Sequence, residues 1–214
     1  MAVLAKSEAR ELYDRIADRY DLLLISLKLF GLDRERERLI EDRGLVEGDH
    51  VVNLCAGTGV DLPLLVNAVG PTGRGTAVDL SLEMLARAKS LAQAKGWTNI
   101  DFVQADVETY AVPDTAAALL SAFGLEMVPD YEGVLERAGA SLEPGALLGL
   151  MGLKHPEGWP DWLVEAGIFF MKPFGVSRDY SDFRPWEAAQ RFLIDMDMKP
   201  LAFGAAYRCV GLVP

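Results

Sequence analysis

Short apolar runs and longer amphipathic segments take turns along most of this chain. Aliphatic or β-branched runs bounded by polar residues or glycine fall at His50–Cys55, Gly75–Asp79, Ile100–Gln104, Ala117–Ser121 and Ala146–Met151. Each has the length and continuous apolar character of a strand covered on both faces. Between them, Val60–Val69, Ser81–Lys95 and Tyr131–Ala140 carry helical spacing. In the second, Leu82, Leu85, Ala86, Ala88, Leu91 and Ala92 share a stripe, while Glu83, Arg87, Lys89 and Lys95 lie off it. Ser81 is placed to cap that helix and Gly96 to stop it. Such alternation predicts βαβ units with right-handed crossovers, an α/β fold with an open, doubly wound, mostly parallel sheet and helices on both faces.

The first fifty residues read as two helices packed ahead of the sheet, with Leu12, Ile16, Tyr20 and Leu23 at helical spacing. At the other end, Lys199–Pro214 holds two extended runs around Gly204, Ala205 and Ala206, which predicts an antiparallel hairpin at the sheet edge. Trp159–Phe174 is apolar on nearly every side, as expected of a helix that is buried or covers something apolar. The whole is expected to form one domain: a helical cap over 1–49, a core over 50–153, an insertion over 154–198 and the hairpin over 199–214.

Composition narrows the function classes. With 21 Lys and Arg against 32 Asp and Glu, the net charge of −11 repels phosphate backbones. Arg34–Arg43, where four arginines interleave with acids, reads as a solvated helix face, so no nucleic-acid partner is expected. Cys55, Cys209, His50 and His155 form no ligand pattern, and neither a metal site nor a disulfide is expected. Leu22–Leu32 is short and interrupted by Ser26 and Lys28, which fits neither a signal peptide nor a membrane span, and a cytoplasmic location is expected.

Ligands of open α/β sheets bind beyond the carboxyl ends of the strands. The first such loop, Asn53-Leu54-Cys55-Ala56-Gly57-Thr58-Gly59, ends a strand and opens a helix, where glycines let backbone approach a ligand. Asp79, at the end of the second strand, stands where an acid accepts both hydroxyls of a ribose. Asp106, after the third, is placed to take the amine of an adenine flanked by Val107. A dinucleotide fingerprint asks for a third glycine where this chain has Leu62, and no Lys or Arg lies between Asn53 and Val69. A phosphate-free adenosine with a cationic sulfonium, S-adenosylmethionine, suits this acidic loop better than NAD(P), which leaves an oxidoreductase as the rival reading.

These stretches, together with Tyr13–Asp21, Val78–Leu85, Phe102–Asp106, Phe123–Asp130 and Leu142–Gly145, resemble class I S-adenosylmethionine-dependent methyltransferases over about residues 13 to 153. Within that group the chain is similar to the ubiquinone/menaquinone-biosynthesis C-methyltransferases and bacterial phospholipid N-methyltransferases. The resemblance implies a seven-stranded sheet with an antiparallel last strand, and S-adenosylhomocysteine as product. It further implies that Gly57 and Gly59 border the methionine part of the cofactor, that Asp79 lies on its ribose, that Asp106 and Val107 hold adenine, and that Asn53, Ala56 and Leu80 also belong to the cofactor site. Ser121 and Ala122 would lie beside the methionine end, and Tyr20 would help close the site. Asn53 stands where the family carries its first acid, Cys55 where it carries its first glycine, and Glu126 where the quinone-pathway enzymes carry an arginine.

His155, Glu126 and Tyr207 are the candidate bases. The aromatic run Trp159–Phe174 points to a hydrophobic or lipid acceptor. Phospholipid N-methylation at a membrane surface is the alternative activity, but only Lys154, Lys172, Arg178 and Arg184 lie near that run, which does not favour membrane contact. A non-catalytic S-adenosylmethionine-binding protein is the remaining reading, and a monomer or homodimer is expected.

Overall fold

The computed structural model describes residues 6–28, 31–41, 44–176 and 182–214, with side chains described outside 18–28 and 41. Helices α1 (Lys6–Lys28) and α2 (Leu32–Glu41) precede the sheet. Strands β1 (His50–Leu54), β2 (Arg74–Asp79), β3 (Ile100–Gln104), β4 (Ala118–Ala122) and β5 (Leu147–Leu153) follow, separated by α3 (Leu62–Val69), α4 (Leu82–Lys95) and, between β4 and β5, α5 (Tyr131–Ser141). After β5 come α6 (Asp161–Met171), α7 (Pro185–Gln190), β6 (Ile194–Leu201) and β7 (Ala206–Leu212).

All seven strands join one sheet in the order β3-β2-β1-β4-β5-β7-β6. The first five run parallel, and β7 enters antiparallel between β5 and β6. The order reverses between β1 and β4, leaving a crevice at their carboxyl ends.

Each strand alternates side chains between two cores. Val51, Ala77, Leu120, Leu147 and Val210 pack with α2, α3 and α4 through Leu39, Leu62, Leu65, Leu85 and Ala88. Val52, Leu54, Leu119, Leu148 and Leu150 pack on the other face with Val134, Leu135 and Ala138 of α5 and Ala188 and Ala189 of α7. The capping of α4 is as the sequence predicts: Ser81 Oγ accepts the Met84 N–H, and Gly96 ends the helix in a left-handed conformation.

Three features differ from the sequence reading. The run Arg34–Arg43 is not wholly solvated, because α2 packs against α3 and β7. Glu35 and Arg36 are buried there, with Arg36 paired to Asp61 at 3.0 Å and Glu35 to Lys199 at 2.7 Å and Arg208 at 3.2 Å. The hairpin's first arm starts at Ile194, ahead of Lys199, behind an irregularity between Ile194 and Asp197 that disturbs the period-2 pattern. Helix α6 buries none of its residues: Trp162, Phe169 and Phe170 are 70%, 73% and 74% exposed. Among the described residues, no helix is long and apolar enough to cross a membrane.

Candidate active site

A cavity that opens to solvent lies over the carboxyl ends of β1 to β4. Cys55 and Gly57 follow β1; Asp79, Leu80 and Ser81 end β2; Asp106, Val107 and Glu108 follow β3; Phe123 and Gly124 follow β4. Across the opening, α1 supplies Lys6, Ala9, Arg10 and Tyr13, and Met127–Pro129 complete the wall.

Asp79 is the best organised group in this wall. Its Oδ2 accepts the Gly57 N–H at 2.8 Å and its Oδ1 accepts the Ser81 N–H at 2.9 Å. Burial pushes the carboxyl up from its ordinary value, against the pull of the backbone N–H groups of Ser81, Gly57 and Leu80. These backbone bonds orient the carboxylate without using up the roughly four lone-pair sites of its two oxygens. The left-handed backbone of Gly57, φ 55°, turns its N–H onto that carboxylate.

Asp106 is tied differently. Its Oδ1 accepts the Glu108 N–H at 3.0 Å, and its Oδ2 takes Lys6 Nζ at 2.7 Å, which also pairs with Glu108 at 2.6 Å. Burial works against ionisation here, but Lys6 and the Glu108 N–H outweigh it and hold the carboxyl below its usual value. A second tether joins Asp14 of α1 to the Ser81 hydroxyl. Helix α1 is thereby held over the two strand ends that carry Asp79 and Asp106.

Of the residues read from the sequence as a cofactor site, Gly57, Asp79, Leu80, Asp106 and Val107 line the cavity. Gly59 does not. At φ 84°, a Cβ there would fall 2.7 Å from Leu62 and 3.0 Å from the Ala88 Cβ, so this glycine lets the start of α3 approach α4. Ala56 faces the core with α3 and donates its N–H to the Val78 carbonyl at 3.0 Å. Asn53 and Ser121 are buried behind the wall; the Asn53 amide lacks a hydrogen-bond partner among the described residues, while the Ser121 side chain interacts with the Cys55 thiol. Ala122 packs against the same core as Ala56. Tyr20 belongs to α1, but its side chain lies outside the described residues.

The three candidate bases are scattered. His155 is exposed in the loop after β5 and off the cavity lining. Tyr207 is 1% exposed in the core of β7, 4.8 Å from the Trp186 ring, and burial with the nearby Glu126 carboxyl raises its hydroxyl well above its usual value. Glu126 is buried and does not line the cavity, although Gly124 and Met127 on either side of it in the chain do.

In Cys55, burial, followed by the charges of Asp79, Glu126 and Asp106, raises the thiol well above its ordinary value, away from the thiolate a nucleophile uses. Its backbone is left-handed, φ 53°, the conformation that favours the glycine expected there by resemblance.

The sequence reading missed Lys6, Arg10 and Tyr13, whose common face on α1 follows only from their i, i+4 and i+7 spacing. It also missed Phe123, whose ring carries the buried Arg36 guanidinium 5.2 Å from its centroid.

Taken together, the cavity offers a backbone-oriented carboxylate, a second acid one strand away, a glycine loop without cations and largely apolar walls. A phosphate-free adenosine with a cationic tail matches this chemistry, and the acid at the second strand end and the orphaned Asn53 amide behind the first fit such a molecule. The profile of the ubiE/COQ5 methyltransferase family matches residues 1–160. Demethylmenaquinone methyltransferase of Staphylococcus aureus is 28% identical over 152 residues, 71% of this chain and 62% of the relative. The chain therefore spans about three fifths of the length of the curated relatives it matches. Among solved structures, an S-adenosylmethionine-dependent methyltransferase from Aquifex aeolicus superposes with a TM-score of 0.62 at 19% identity, covering 99% of this chain and 100% of that one. Phosphoethanolamine N-methyltransferase 2 of Haemonchus contortus, in complex with S-adenosylmethionine, gives 0.63 at 16%, covering 78% and 38%. At these identities the structural likeness shows the fold.

Proposed function

The chain belongs to the ubiE/COQ5 methyltransferase family, and on that premise we propose that it transfers a methyl group from S-adenosylmethionine to a hydrophobic small-molecule acceptor of the quinol type. The observation that carries the reading is the convergence of Gly57, Asp79 and Asp106 from three successive strand ends on one cavity. Asp79, oriented by its backbone donors, takes the ribose hydroxyls. Asp106 and Val107 face adenine, the amine sharing the carboxylate with Lys6. Gly57, Phe123 and Gly124 border the methionine end, with the Asn53 amide buried behind them.

The donor supplies an electrophilic methyl on a sulfonium that leaves as a neutral thioether, so the protein's task is to hold the acceptor in line and keep water out. The apolar walls, Tyr13, Met84, Phe123, Met127 and Val128 among them, suit that task. A quinol acceptor is favoured by the name of the Staphylococcus aureus relative, which acts on demethylmenaquinone.

The test offers S-adenosylmethionine labelled in its methyl group with two acceptors, a short-chain demethylmenaquinol and phosphatidylethanolamine vesicles. Label in the quinol fraction supports the reading. Label in the lipid alone replaces the quinol by a phospholipid amine, and label in neither, with NADH bound in the cavity, returns the site to dinucleotide chemistry.

A further inference from the structure

Helix α1 brings a lysine to the third strand end. Lys6 lines the cavity together with Asp106, Val107 and Glu108. Its Nζ lies 2.7 Å from Asp106 Oδ2 and 2.6 Å from Glu108 Oε2. An ammonium carries three N–H donors, and two carboxylates engage two of them, which leaves the third open among the described residues. With its side chain 43% exposed, Lys6 is not sealed off by these pairs. The Asp106 carboxylate is fixed in turn by the Glu108 N–H on its Oδ1. This edge of the cavity therefore sets an acceptor, Asp106, directly beside a donor, Lys6.

Adenine presents the complementary order along one edge, where the amine on C6 donates and the adjacent ring nitrogen N1 accepts. With Asp106 on the amine, N1 loses its water on entering the cavity and needs a new donor, because a polar atom stripped of water and left unpaired costs free energy. The Glu108 carboxylate, engaged by Lys6, only accepts. Among the described residues the wall holds one other cation, Arg10, a turn further along α1 and 3.8 Å from Asp14.

Resting on the S-adenosylmethionine reading, we propose that Lys6 determines specificity for the base of the donor, giving its third N–H to adenine N1 while Asp106 accepts from the amine. The pair then reads two adjacent atoms of the base, one from α1 and one from the loop after β3. Two features support the assignment. A second tether, from Asp14 to the Ser81 hydroxyl, moors α1 over the end of β2 two turns beyond Lys6, so the lysine is carried to the third strand end by the fold itself. The hydrogen bonds to Asp106 and then Glu108 raise Lys6 above its ordinary value, which keeps the group a charged donor through neutral pH.

The experiment measures Kd by calorimetry for S-adenosylhomocysteine and for its 1-deaza analogue, in which C–H replaces N1 and the amine and sugar are kept, on wild type and Lys6→Met. Expected is a wild type that binds the analogue about 10-fold more weakly, the loss of one hydrogen bond to a charged, part-exposed donor. In Lys6→Met the two ligands should bind within about twofold of each other, whatever their common affinity. A lysine that only holds α1 down would weaken both ligands alike and leave their ratio as in the wild type. A ratio that survives in Lys6→Met therefore overturns the assignment and gives N1 to another donor, such as the Val107 N–H. A wild-type ratio within about twofold overturns it as well, and that measurement needs no variant to fold. A wild type that binds neither ligand overturns the S-adenosylmethionine reading and this assignment with it, whereas tight S-adenosylhomocysteine binding with an unfavourable ratio overturns the assignment alone.

Discussion

Replacing Asp79 with alanine isolates the contribution of the acid at the second strand end. Both oxygens are oriented by backbone donors, Gly57 at 2.8 Å and Ser81 at 2.9 Å, on a residue that lines the cavity. A ribose hydroxyl donating to such a carboxylate makes a charge-assisted bond, worth about 1.5 to 3 kcal/mol net. Its loss corresponds to a roughly 10- to 150-fold weaker Kd. The carboxylate is already desolvated in the empty protein, as its raised pKa records, so little of that gain is spent on dehydrating it when ligand arrives. Calorimetry with S-adenosylhomocysteine on wild type and Asp79→Ala reads the difference, and a melting curve of each confirms that the Gly57 loop has survived. A folded variant whose Kd stays within twofold of wild type would refute the ribose placement.

Three further outcomes test the frame around the site. Gly59→Ala forces a Cβ into the Leu62 and Ala88 side chains at φ 84° and should destabilise the protein by about 1 to 3 kcal/mol in urea unfolding; an unchanged midpoint means that α3 and α4 do not meet there. Ser81→Ala removes both the Met84 cap and the tether to Asp14. The cap alone is worth about 1 kcal/mol, a loss of about 2 to 4 °C in Tm for a chain of this size, and a melt that does not move counts against the capped helix. Folding raises Glu126 from 4.5 to about 7, so the folded state keeps a proton that the unfolded chain gives up. That contribution is complete below the unfolded value and is lost as pH rises through the folded one, on the order of 3 kcal/mol across the window. Denaturant unfolding at pH 5 and pH 8 should show this loss in the wild type and not in Glu126→Gln; equal pH dependence of the two proteins rejects a buried, titrating carboxyl.

The layered fold was legible because its signals are local. Strand runs such as Ile100–Gln104 are bounded by polar residues, and the α4 stripe sits between the Ser81 cap and the Gly96 stop. Asp79 and Asp106 were legible for a related reason, since a strand end in an open α/β sheet has a known relation to the crevice. What escaped depends on contacts distant in sequence. Nothing local distinguishes Glu35 and Arg36 from the exposed charges around them until α2 packs on α3 and β7. Gly59 sits two residues from Gly57 and looks like its partner, yet one glycine turns an N–H onto Asp79 and the other clears space for Ala88. Lys6 meets Asp106 across a separation of 100 residues, which no window of local pattern spans.

The central claim is that the four strand ends around this cavity hold a phosphate-free adenosine donor. A crystal structure of the protein grown with S-adenosylhomocysteine measures it directly. The account predicts the ribose diol on Asp79, the adenine edge toward Asp106 and Val107, and the homocysteine end beside Gly57 and Phe123. The nucleoside found elsewhere, or NADH displacing it from the same cavity, would contradict it.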